Sequence, residues 1–212
     1  MAVTLTTQNT VLGVLLPKAG TARLLANLAT VVLGTLLLTL SAKISVPVMP
    51  VPVTLQTFAV AALAAGFGWR IGVATVALYL LEGLAGLPVF ATGGGIDYVF
   101  RPSFGFLVGY LPMAYIIGRA ADLGASGKVA ILFLTMLAAD AVVFAFGFAW
   151  LLVVVNLVVA QGGVVPGWLD AGNLVGSAFD GAVKPFVLWD GLKMAFAALS
   201  VAGAWRLVRR KA

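Results

Sequence analysis

The sequence predicts an all-α integral membrane protein of six transmembrane helices with both termini in the cytoplasm. Three observations carry this expectation. Of 212 residues, 62% are hydrophobic and 9% charged, against about 25% charged in a soluble domain, so there is too little polar side chain to cover a water-facing surface. The mean hydropathy is +1.13, with apolar runs of the length, roughly 18 residues or more, that marks a span rather than a core helix. Lys and Arg, finally, gather on one side of the helix set.

The lead-in, residues 1–21, begins polar and uncharged and does not read as a cleavable signal, which needs a basic start and a longer apolar run. A six-helix membrane domain is expected over 22–208. Its first helix covers 22–41, and Val46-Pro47-Val48-Met49-Pro50-Val51-Pro52 follows as an extended link, because closely spaced prolines exclude a helix interior. The second helix is expected over 54–67, a tight basic turn at Gly68-Trp69-Arg70, and the third helix over 71–86. Both are short for a hydrocarbon core of roughly 30 Å. Short helices ending in Gly or Pro imply non-helical backbone at membrane depth, buried in protein or lining a cavity. Segment 87–98, with Pro88 and Gly93-Gly94-Gly95 between apolar flanks, is accordingly read as a structured loop dipping into the protein.

The fourth helix is expected over 103–121, a polar turn over 122–128 and the fifth helix over 129–159, which exceeds one span and so tilts or projects. Residues 161–183 read as an external loop or short interfacial helix. The sixth helix starts at Pro185, a favoured first-turn residue, and runs to Val208 before a basic tail, 209–212. On this layout Lys18, Arg23, Arg70, Arg119, Lys128, Arg206, Arg209, Arg210 and Lys211 share one side, and Lys43, Arg101, Lys184 and Lys193 the other. The richer side is expected in the cytoplasm.

There is no cysteine and no histidine, which removes thiol nucleophiles, Cys or His zinc sites and imidazole acid–base chemistry. The net charge of +6 fits membrane orientation better than nucleic acid, and no nucleic-acid partner is expected. The Gly127-Lys128 pair lacks the first glycine and the Ser or Thr of a phosphate-binding loop, so the chain itself is not expected to hydrolyse nucleotides. No cofactor, metal site or catalytic constellation is expected; a membrane enzyme would have to work through acids, Lys or Tyr alone.

Asp190 and Lys193, three apart near the start of the last helix, share a face and can pair with each other or jointly address one ligand. The same spacing suits an interfacial salt bridge with a snorkelling lysine. Arg101 suits a ligand carboxylate, or serves as an external anchor or a partner for Asp97. The triple glycine suits a plain turn, or backbone N–H groups near an anion. Gln56, beside Thr54 and Thr57, can donate and accept together, which suits a urea, amide or heterocycle; equally, Thr54 caps the helix and Gln56 bonds to backbone. Asp140 is a candidate proton site or a hydrogen-bonded interhelical acid. Ala22, Ala26 and Ala29 make a flat strip on the first helix, and Gly68 with Gly72 and Gly105 with Gly109 repeat small-xxx-small spacing, mostly for internal packing. The five tryptophans and four tyrosines are read as interface belts and core.

Taken in order, Ala42 to Pro47, Val51-Pro52-Val53-Thr54-Leu55-Gln56-Thr57, Gly83-Leu84-Ala85-Gly86-Leu87-Pro88-Val89-Phe90, Pro102 to Gly109, and Pro185-Phe186 through Asp190 and Lys193 closely resemble the BioY family. That family comprises biotin-binding, membrane-embedded S-components of energy-coupling factor (ECF) transporters. The resemblance runs from about Arg23 to Val208, and its two middle strings are highly specific. It departs at Lys43, where the family usually has Gln, at Leu188-Trp189-Asp190 in place of Pro-Gly-Asp, and at Arg101-Pro102-Ser103-Phe104-Gly105 in place of Gly-Pro-Thr-Gly-Gly.

The resemblance implies a six-helix S-component fold with a pocket near the external face, closed by the loops after the first and third helices. It implies Asp190, Gln56 and Thr92 as partners of the biotin ureido ring, Lys193 or Arg101 as the base for its carboxylate, and Phe90 or Tyr79 against its apolar parts. It further implies a transmembrane coupling subunit, docked through Ala22 and Ala26, cytoplasmic ATPases, and a multi-pass place in a bacterial or archaeal-type plasma membrane. Uptake without ATPases, with Asp140 as a proton site, is the alternative within transport.

Overall fold

The computed structural model describes residues 9–15, 20–48, 50–161, 167–170 and 172–210. Lys18 and Lys211 of the charge count, and Met49 of the Pro-rich link, lie outside them. Eight helices and one small ribbon are present among the described residues: α1 (Val11–Leu15), α2 (Thr21–Lys43), β1 (Ser45–Val46), β2 (Val53–Thr54), α3 (Gln56–Phe67), α4 (Trp69–Leu84), α5 (Phe104–Asp122), α6 (Val129–Ala160), α7 (Leu174–Ala182) and α8 (Lys184–Arg209). Four segments are long and apolar enough to cross a bilayer: α2, α5, α6 and the run from α7 through α8. At 12 and 16 residues, α3 and α4 reach only about 18 and 24 Å at 1.5 Å per residue. They fall short of a span, as their sequence implies.

The link after α2 is more than extended chain. Ser45 pairs with Thr54 and Val46 with Val53 in an antiparallel ribbon, so the prolines sit in its loop. Pro50 and Val51 at that loop are buried. The second helix begins at Gln56 rather than Thr54, because Thr54 is already in β2 and its hydroxyl accepts the Gln56 amide at 3.3 Å. The turn between α3 and α4 is Gly68 alone, at φ 86°, a left-handed conformation that favours glycine. Trp69 and Arg70 are already helical, and the Trp69 N–H donates to Asp122 Oδ2.

The loop after α4 folds inward, as expected. Phe90 and Gly93 bond reciprocally, the Gly95 amide reaches Gly83 O at 2.7 Å, and a 3₁₀ turn spans Ile96–Phe100. A side chain at Gly94 would put its Cβ 2.0 Å from Leu87 O. The glycines thus make a tight turn whose Gly93 and Gly95 amides are spent on the loop itself.

The core is a contiguous cluster in which α5 packs against α3, α4 and α6, and α8 closes on α3 and α6. Close approach of α5 to α6 relies on Gly105 and Gly109: a Cβ at these positions would lie 2.2 Å from Trp150 Cβ and 2.9 Å from Val143 Cα. Gly72 likewise meets the backbone of Ala64 across α3 and α4. Peripheral α2 leans mainly on α4 and presents Leu25, Leu33, Leu36 and Leu40 outward. Such a face suits lipid and would be a liability in water. The segment after α6 contains the short helix α7, whose first turn is capped by Asn173 accepting the Gly176 amide.

Candidate functional site

The second and third turns of α8 bring Asp190 and Lys193 onto one face, and they pair there: Lys193 Nζ donates to Asp190 Oδ1 with side chains only 13% and 5% exposed. From α3, the Thr57 hydroxyl donates to the same Oδ1 at 3.0 Å. Two charges so far from water hold together only when paired and hydrogen-bonded. With Oδ1 doubly used, Asp190 Oδ2 remains for the cavity that the residue lines.

One residue earlier on α3, Gln56 donates through Nε2 to the Tyr79 hydroxyl at 2.8 Å, and the Tyr79 O–H donates in turn to Val89 O at 3.0 Å. Thr54 donates to Gln56 Oε1 at 3.2 Å. This relay fixes the orientation of the amide and ties α3 and α4 to the inward loop. Phe90 fills the space that Gly83 leaves empty and stacks edge-on with Tyr79 and tilted with Tyr98. Lys43, at the end of α2, donates to Phe90 O at 2.6 Å, so α2 holds the same loop.

Two adjoining cavities lie between these groups, each about 30 Å³ and sharing Val51, Pro52, Thr54, Phe106 and Tyr110. One reaches Asp190, Lys193 and Thr57; the other reaches Gln56, Tyr98 and Ser103. Each has room for roughly two waters. Val51 and Pro52, carried by the β1–β2 loop, thus close over a space polar at both ends and apolar or aromatic between. Among the described residues no three carboxylates gather for a metal. The chemistry on offer is one ion pair, an amide, hydroxyls and aromatic walls, groups that can hydrogen-bond and pack against a small ligand.

Against this geometry a family comparison is decisive. A model of the BioY family matches residues 8–210. The chain belongs to the BioY family. It is 43% identical over 89 residues to the biotin transporter BioY of Thermotoga maritima, which covers 42% of this chain and 53% of that one. It is 34% identical over 122 residues to the biotin transporter BioY of Rhizobium etli, covering 54% and 65%. Such matches span roughly half to two thirds of these curated relatives. A crystal structure of the S-component for biotin from an ECF-type ABC transporter superposes with a TM-score of 0.70 at 19% identity, over 89% of this chain and 95% of that one. The two share a fold.

Within this BioY-family chain, the predicted site residues fall into three groups. Asp190, Lys193 and Gln56 line the cavities. Tyr79 and Phe90 are fully buried behind the wall, where they hold Gln56 and the loop. Thr92 is exposed and donates to the Tyr98 hydroxyl at 3.1 Å, while Arg101 is exposed and lines neither cavity. At the far end, Ala22 is exposed and Ala26 half-buried on the outer face of α2. The sequence reading took Tyr98 and Tyr110 as belt or core aromatics and gave Phe106 no role beyond its place in the Pro102 to Gly109 string. Nothing local distinguishes them; the glycines at 105 and 109 signalled only that α5 approaches a neighbour closely.

Proposed function

We propose that this protein captures biotin at the external face of a plasma membrane and hands it inward with an ATP-driven ECF module. The observation that carries the reading is the placement of a buried Asp190–Lys193 unit and Gln56 on two adjoining, apolar-walled cavities that share Val51, Pro52, Thr54, Phe106 and Tyr110. A ureido ring has two N–H donors and one carbonyl. The free Asp190 Oδ2 accepts from the former, and Lys193 or the spare Gln56 N–H donates to the latter. Phe106 and Tyr110 flank the fused rings. Lys193 is already neutralised by Asp190, so Arg101, without an ion-pair partner among the described residues, is the base we assign to the carboxylate.

In this proposal α3 and α4 complete a six-crossing bundle with both termini inside. The bases Arg70, Arg119, Lys128, Arg206, Arg209 and Arg210, all remote from the site end, support that orientation. The coupling subunit docks on α2 along Ala22 and Ala26, and the cytoplasmic ATPases act through it. Titration calorimetry of the detergent-purified full chain with biotin, with thiamine and riboflavin as controls and co-purified ligand checked by mass spectrometry, tests the reading. Tight, biotin-selective binding is expected; a folded, ligand-free protein that binds no biotin overturns it.

A further inference from the structure

One buried charge plays no part in that reading. Asp140 sits in the N-terminal half of α6, 4% exposed, and its Oδ1 has no hydrogen-bond partner. One turn later, Val143 lines the cavity that holds Asp190 and Lys193, and α6 packs directly on α8. Tyr110 from α5 lines the same cavity. The Lys193 ammonium has three donors, of which one goes to Asp190. An unsatisfied carboxylate at membrane depth is costly and calls for a purpose.

We propose that Asp140 is a second seat for the Lys193 ammonium, a positioning residue that takes up the cation as a ligand engages Asp190. The exchange rests on the biotin reading, because a ligand with two N–H donors competes with Lys193 for the Asp190 carboxylate. Without an alternative acid, that competition would strand a bare ammonium in the membrane interior. With Asp140 one turn below the cavity wall, Lys193 swings between two carboxylates and remains compensated. Asp190 then offers both oxygens to the ligand.

The test is a double-mutant cycle on the full-length detergent-purified chain, read by biotin affinity and by thermal melting without ligand. Asp140→Asn in the native background is expected to weaken biotin binding about fivefold or more, with Asp140→Glu recovering most of the loss. In a Lys193→Met background, Asp140→Asn is expected to leave affinity unchanged, because there is then no cation to seat, while melting without ligand shows that each variant is folded. Equal losses of affinity in both backgrounds, or no change of affinity in either, overturn the proposal. Should the native chain bind no biotin, the biotin reading fails and the exchange that rests on it fails with it.

Discussion

Thr57 on α3 donates its hydroxyl to the Asp190 oxygen that also holds Lys193, joining residues 133 positions apart in one buried knot. The ion pair is therefore held between two helices as well as along one. In the proposed binding mode, ligand recognition and helix packing are coupled at this point, because loosening α3 against α8 moves the carboxylate.

Breaking the knot should cost both affinity and stability. Asp190→Asn and Lys193→Ala are each expected to weaken biotin binding more than tenfold in calorimetry. Lys193→Ala leaves a buried carboxylate uncompensated, a loss of about 3–5 kcal/mol in comparable sites, so its melting temperature should fall more than that of Thr57→Val. Unchanged affinity in both charge variants would remove the pair from the binding site.

Tyr79→Phe deletes the hydroxyl that accepts from Gln56 and donates to Val89 O. It leaves the buried Gln56 Nε2 without this acceptor, a loss of about 1–3 kcal/mol, and the half-buried Val89 O without this donor. Lower thermal stability is expected together with weaker biotin binding, through a misoriented Gln56. A variant that melts lower but binds normally would confine Tyr79 to holding the loop.

Gly94→Ala drives a Cβ into Leu87 O, so the inward turn must open while the helices far from it keep their packing. Circular dichroism should retain its helical signal and biotin binding should fall. Gly86→Ala is the comparison: nothing lies within 4 Å of its Cβ, yet its φ is 105°. It should show the milder effect of backbone strain alone.

Replacing Ala22 or Ala26 with Trp should impair biotin uptake in cells that supply the coupling subunit and ATPases while leaving calorimetric affinity intact. Both residues lie on α2, away from the cavities. Reduced binding would instead assign the strip to packing within the chain.

Much of the fold was legible in the sequence, for physical reasons that can be located. Hydropathy is a local sum, so the helices beginning at Thr21, Phe104, Val129 and Lys184 start within one residue of expectation. The i,i+3 pairing of Asp190 with Lys193 depends only on helix geometry and was legible too. The hairpin of Ser45 with Thr54 was not, because two-residue strands carry no periodicity to read.

By itself, then, the sequence determined a membrane-embedded helical chain of the BioY family, with its polar residues concentrated in a few strings. Tertiary structure alone decided where each of them sits: Gln56, Asp190 and Lys193 at the cavities, Tyr79 and Phe90 buried behind them, Arg101 exposed and lining neither, Asp140 buried on α6 one turn before the cavity-lining Val143. In a soluble helix an apolar stripe announces the inward face. Here lipid and core are both apolar, so helix rotation leaves no trace in the hydrophobic pattern, and the neighbours of each side chain are set by how glycines such as 105 and 109 let whole helices close on one another.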